Sequence, residues 1–149
     1  MDKKLNNKVA IITGASGGFG NSIATKFAEN GCELILTYKS NKKNIEILSK
    51  KLNRINCKFQ IVKADISKKK DRQKILSGIK KNKIDILVNN AGINEVRDFL
   101  EIKEKDWDKI IDTNLKSTFF LTQDVFKIMK KNLNGKIINI SSGAALYHG

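Results

Sequence analysis

Thr13-Gly14-Ala15-Ser16-Gly17-Gly18-Phe19-Gly20 follows directly on the apolar run Val9-Ala10-Ile11-Ile12 and leads into residues spaced as on a helix. A strand that ends in a glycine-rich turn and re-enters the chain as a helix is the opening unit of a parallel α/β sheet. Gly14 lets the chain turn sharply off the strand, Gly18 lets backbone approach a pyrophosphate, and Gly20 allows helix to pack closely on sheet. Ser16 adds a hydroxyl donor, Gly17 and Phe19 share the turn, and the helix start offers free N–H groups to phosphate. The glycines fall as G-x-x-x-G-x-G rather than G-x-G-x-x-G. Such turns also occur without a ligand, so the remainder of the chain has to decide.

Outward from this turn, short apolar runs alternate with longer amphipathic ones. Residues 9–13 read as a strand. Phe19, Ile23, Phe27 and Ala28 place a helix over 18–30, closed by Gly31. A strand over 33–38 precedes a helix over 41–53, with Ile45, Leu48 and Leu52 on one face. Residues 58–63 form a third strand, and Ser67 is positioned to cap a helix that runs to about Lys81. Residues 84–89 form a fourth strand. After a loop, 106–132 is helical, as two helices or as one bent near Asn114. Gly135 then leads to a fifth strand over 136–141. Strands that are almost continuously apolar, separated by crossover-length helices, predict a doubly wound parallel sheet of the Rossmann type with right-handed connections.

The 149 residues are one domain's worth of chain, with 40% hydrophobic and 30% charged residues and neither repeats nor a linker. No apolar run nears the ~20 residues of a membrane span, and no signal peptide is read. Cys32 and Cys57 lack metal-ligand spacing, so reduced cytoplasmic thiols and no metal site are expected. The net charge of +14 admits a nucleic-acid partner. However, only Arg54, Arg72 and Arg97 among 29 basic residues are arginines, and the lysines are scattered without interleaved aromatics. A solvated surface is expected, and no nucleic-acid site.

Further motifs follow in register: Asp65 after the third strand, Asn89-Asn90-Ala91-Gly92 after the fourth, Asn114 in the long helix, and Ile140-Ser141-Ser142 after the fifth. Together with the glycine turn they resemble the short-chain dehydrogenase/reductase family. The resemblance spans the whole chain and implies strand order 3-2-1-4-5 and a dinucleotide cofactor. It implies that Asp65 accepts the adenine amino group beside the Ile66 backbone, while Asn90, Ala91 and Gly92 line the ribose. It implies that Asn114 holds a water of the proton relay and that Ser142 polarises a substrate carbonyl. Because side chains alternate along a strand, only one of Ser141 and Ser142 is expected to face the cleft.

Members of this family specific for NAD place an acid at the end of the second strand, where this chain has Thr37-Tyr38-Lys39-Ser40. With no acid there and Lys39 available to a 2′-phosphate, NADP(H) is expected over NAD(H), although Gly17 stands where NADP-preferring members often carry arginine.

The family's Tyr-x-x-x-Lys pair does not appear. Tyr147 is too close to Ser142 and has no lysine four residues on, and His148 has no partner in sequence. Residues 1–149 are therefore expected to be a C-terminally incomplete Rossmann domain, lacking the last strands and inactive alone. The intact protein is expected to be a homo-oligomer that acts on a small-molecule or acyl-carrier-bound carbonyl. The stretch from Arg97 to Leu115 most resembles 3-oxoacyl-acyl-carrier-protein reductases and their sugar or alcohol dehydrogenase cousins. A nucleotide-binding protein without catalysis and a basic nucleic-acid-binding α/β domain stand as alternatives.

Overall fold

The computed structural model describes residues 3–79 and 83–143. Five parallel strands, β1 (Val9–Ile12), β2 (Glu33–Tyr38), β3 (Phe59–Lys63), β4 (Ile86–Asn89) and β5 (Lys136–Asn139), form one sheet in the order β3-β2-β1-β4-β5. This is the expected order. The connecting helices are α1 (Gly18–Glu29), α2 (Lys42–Arg54), α3 (Lys69–Ser77), α4 (Glu104–Ile111) and α5 (Ser117–Lys131).

Successive strand residues point to opposite faces, and both faces are covered. Ala10, Ile12, Leu34 and Leu36 pack with Ala24, Ile45 and Leu48 of α1 and α2. Ile11, Ile35 and Leu87 pack with Ile75 of α3 and Leu121 and Val125 of α5. A strand buried on both faces has no polar alternation, which is why β1, β2 and β4 read as continuous apolar runs.

Two expectations about α3 are corrected. Ser67 does not cap it: Lys68 takes the N-cap position, while the Ser67 hydroxyl and N–H both donate to Asp65 Oδ1 at 2.7 and 3.1 Å. The nearer carboxylate captures the serine before the helix can. The helix also ends at Ser77 rather than near Lys81. Gly78, a poor helix former, packs against the Gln60 side chain, which would lie 2.3 Å from a Cβ at that position.

The long helix is interrupted at Asn114 by a π-helical stretch, Asp112–Lys116. Asn114 is exposed, as are Leu115 and Phe119 at 63% and 60%. Its amide is satisfied by backbone, since Oδ1 accepts from Ile93 N–H at 2.9 Å and Nδ2 donates to the Ile93 carbonyl at 2.8 Å. A short 3-10 turn, Phe99–Glu101, lies in the stretch expected to be loop, with Asp98 accepting the Leu100 N–H. The fifth strand is shorter than expected. Its ladder stops at Asn139, one further bond joins Ile140 N–H to the Asn89 carbonyl, and Ser141 and Ser142 lie beyond it. Alternation along a strand therefore does not decide between the two serines.

The two cysteines are free. Cys32 is buried, and burial together with neighbouring Cys57 and Asp85 pushes its thiol up to about 12. Burial and Glu33 raise Cys57 as well.

A candidate dinucleotide site at the carboxyl ends of the strands

The site begins with one buried threonine. Thr13 is 1% exposed where β1 meets its turn. Its hydroxyl donates to the Val88 carbonyl at 3.3 Å and accepts the N–H groups of Asn90 and Ala91 at 3.0 and 2.9 Å. In return, Asn90 Nδ2 donates to the carbonyls of Thr13 and Gly14 at 2.8 and 3.2 Å. The turns after β1 and β4 are thus fastened to each other. They flank the point where strand order reverses, at which open α/β sheets form their ligand crevice.

The glycines divide the work. Gly14 takes φ +65°, a backbone state open to glycine at little cost, and a Cβ there would lie 2.9 Å from Ala91 Cα. A Cβ on Gly20 would lie 2.4 Å from the Gly14 carbonyl oxygen and 2.8 Å from Asn90 Nδ2. Gly20 therefore seats α1 against the two turns rather than against the strands themselves. A Cβ on Gly18 would meet nothing within 4 Å. Helix α1 starts after Gly17 with no side-chain cap and no acid in its first turn, so its leading N–H groups and positive dipole end face the open space.

A cleft of about 350 Å³ runs from this helix start across the ends of β2 and β3. Every cofactor-contacting position expected from sequence lines it: Gly14, residues 16–20, Lys39, Asp65, Ile66, and residues 90–92. Thr37, Tyr38, Ser40, Ala64, Ile93 and Thr113 line it too. Ser142 is exposed, and neither it nor Asn114 is among the lining residues, though Asn114 hydrogen-bonds Ile93, which lines the cleft. Tyr147 and His148 lie outside the described residues.

Asp65 is the only carboxylate lining the cleft among the described residues. Its Oδ1 is taken by Ser67, and its Oδ2 pairs with Lys39 Nζ at 2.8 Å. Burial pushes its carboxyl up, but the hydrogen bonds from Lys39 and Ser67 outweigh this and hold it below the usual carboxylate range. The corner behind it is rigidly tied. Asp71 accepts the Asp65 N–H at 2.9 Å, and buried Arg72 donates to the carbonyls of Ile66 and Ser67 at 2.7 and 3.0 Å. Sequence reasoning gave no role to Thr13, Asp71 or Arg72. An Asp two residues into a helix was the one readable hint, for Asp71.

The sheet order, with a glycine-opened helix at its switch point, defines an α/β domain of the Rossmann fold. Residues 8–149 match the profile of a family described as short chain dehydrogenase. The chain is 34% identical over 138 residues to the 3-oxoacyl-[acyl-carrier-protein] reductase of Staphylococcus epidermidis, covering 91% of this chain and 57% of that protein. It is 37% identical over 142 residues to the 2-dehydro-3-deoxy-D-gluconate 5-dehydrogenase of Dickeya dadantii, covering 93% and 54%. Among solved structures, a 7α-hydroxysteroid dehydrogenase complexed with NADH and 7-oxo glycochenodeoxycholic acid superposes with a TM-score of 0.91 at 30% identity, covering 99% of this chain and 58% of that one. The chain belongs to the short-chain dehydrogenase family. It spans little more than half the length of these relatives.

Proposed function

We propose that the protein is an NADP(H)-dependent oxidoreductase that exchanges hydride between the nicotinamide and a carbonyl or alcohol, with 3-oxoacyl groups on an acyl carrier as the preferred substrate class. The observation that carries the cofactor choice is the end of β2. Lys39 lines the cleft at that strand end and no acid of β2 does, so a 2′-phosphate meets a cation, and the nearby Asp65 carboxylate is already paired with it. The residues fit a dinucleotide on independent grounds, because the α1 start is uncapped and the space before Gly18 is open.

In this reading the leading N–H groups of α1, with Ser16, hold the pyrophosphate. Asp65 and the Ile66 backbone receive the adenine, and residues 90–92 line the ribose. When bound, the cofactor supplies or accepts the hydride. Ser142 donates a hydrogen bond to the substrate carbonyl and steadies the oxyanion that develops on it. Asn114, fixed by Ile93, holds a water of the proton relay. The substrate class rests on likeness to the acyl-carrier-protein reductase, and a sugar acid is the competitor that the Dickeya dadantii relative suggests. The protein is proposed to be cytoplasmic and homo-oligomeric. Among the described residues no helix is long and apolar enough to cross a membrane.

Titrating NADPH and NADH into the protein tests the cofactor choice. NADPH is expected to bind at least tenfold more tightly, roughly the worth of one charge-assisted contact. Equal affinities, or tighter NADH, would remove the proposal. In a preparation active with NADPH, reduction of a 3-oxoacyl thioester faster than of a keto sugar acid checks the substrate class.

A further inference from the structure

The cation assigned to the 2′-phosphate already has a partner. Lys39 Nζ sits 2.8 Å from Asp65 Oδ2, and both side chains line the cleft. The other carboxylate oxygen is occupied by the Ser67 hydroxyl and N–H. Asp65 has little freedom to withdraw, because Asp71 holds its N–H and Arg72 holds the next two carbonyls from behind. Lys39 is the mobile partner, a flexible four-carbon stem with 57% of its side chain exposed, against 17% for Asp65.

We propose that the Lys39–Asp65 pair is a latch across the adenosine end of the cleft, and that a 2′-phosphorylated adenine nucleotide opens it by giving each partner a replacement. This deepens the cofactor reading above and rests on it. An adenine amino group that uses Asp65 must displace Lys39 from Oδ2 or share that oxygen with it. If the nucleotide carries a 2′-phosphate, the released ammonium gains a dianionic partner and the exchange is repaid. If it carries a plain ribose, the ammonium is left with water and the nucleotide bears the cost of the broken pair. Lys39 then acts twice, attracting the phosphorylated cofactor and penalising the other.

The two roles differ in sign at one substitution. A lysine that only contacts phosphate predicts that Lys39→Met weakens 2′,5′-ADP and leaves 5′-AMP unchanged. The latch predicts that 5′-AMP binds more tightly to Lys39→Met, by about twofold to fivefold, the scale of an ion pair with one exposed partner. It predicts at the same time that 2′,5′-ADP weakens by about tenfold or more. Lys39→Arg, which retains a cation able to pair with Asp65, is expected to keep 5′-AMP weak and 2′,5′-ADP preferred.

Calorimetric titration of both nucleotides into the three full chains reads the result, with thermal melts to show that each is folded. 5′-AMP affinity unchanged or reduced in Lys39→Met overturns the latch, whatever 2′,5′-ADP does. 2′,5′-ADP no tighter than 5′-AMP in the unaltered chain overturns the NADP(H) reading and with it the opening of the latch by a 2′-phosphate, while a tightening of 5′-AMP in Lys39→Met would then support only the closure of the pair against plain adenosine. Binding of neither nucleotide to any of the chains overturns both.

Discussion

At the scale of single residues, glycines that look alike in sequence do different physical work. Gly20 is needed because backbone stands where its side chain would go; at Gly18 that place is open. Gly20→Ala is expected to lower stability by about 1–3 kcal/mol, since neither the Gly14 carbonyl nor Ala15 Cα can step aside. Gly18→Ala is expected to leave stability within about 0.5 kcal/mol, helped by the better helix propensity of alanine, while weakening dinucleotide binding. Denaturant melts and cofactor titrations on the two variants separate these outcomes, and a stability loss at Gly18 as large as at Gly20 would refute the division. The glycine spacing was legible from sequence because each requirement is local to one turn. Which glycine served packing and which served access was not. That depends on Asn90 and Ala91, some 70 residues away, arriving at the same corner.

Among elements, the corner from β3 into α3 shows how acidic side chains hold a loop. Asp65 and Asp71 both lie below the usual value of 3.8, the first because Lys39 and Ser67 outweigh the effect of burial, the second chiefly through Lys74 and the Asp65 N–H. Their folded values are depressed, so the stability they contribute is present above the unfolded value and is lost as pH falls through the folded values. Between about pH 6 and about pH 2.5, urea melts are expected to show a loss of stability that is smaller in Asp65→Asn and Asp71→Asn than in the unaltered chain. An identical loss in all three would mean that the acids hold nothing at this corner. The helices and strands here were readable because apolar periodicity records burial. The capping was not, since Ser67 had two acceptable uses and the choice fell to a carboxylate two residues earlier. The π-helical stretch at Asn114 was foreshadowed only as a bend, because what satisfies that amide is a loop carbonyl and N–H 21 residues away in sequence.

For the molecule as a whole, β5 is the exposed flank of the sheet. Ile137, Ile138 and Ile140 are 37%, 40% and 41% exposed, and Phe126 and Leu133 beside them 53% and 94%. A polypeptide of these 149 residues is expected to associate through that edge, whose backbone groups can pair with another strand. The net charge of +14 opposes association, and salt screens it with a Debye length of about 8 Å at physiological strength. Sedimentation should therefore show mass rising with salt, and a monomer that persists at high salt would count against the edge as the cause. The strand order was legible because the family motifs arrive in register along the chain. The Lys39–Asp65 pair was not, because each residue was read for its own ligand. The same order has a consequence for synthesis. The first of the five strands to leave the ribosome, β1, is the centre of their sheet, flanked by β2 on one side and β4 on the other. Its β2 side can pair almost at once. Its other side waits for β4, which begins about 50 residues after β2 ends, at ~5–20 residues per second a further delay of roughly 2.5–10 s. Throughout that interval the nascent chain carries the most apolar strand of its future core with one row of amides unclaimed, and that is when a chaperone, or a neighbouring nascent chain, has its best access to it.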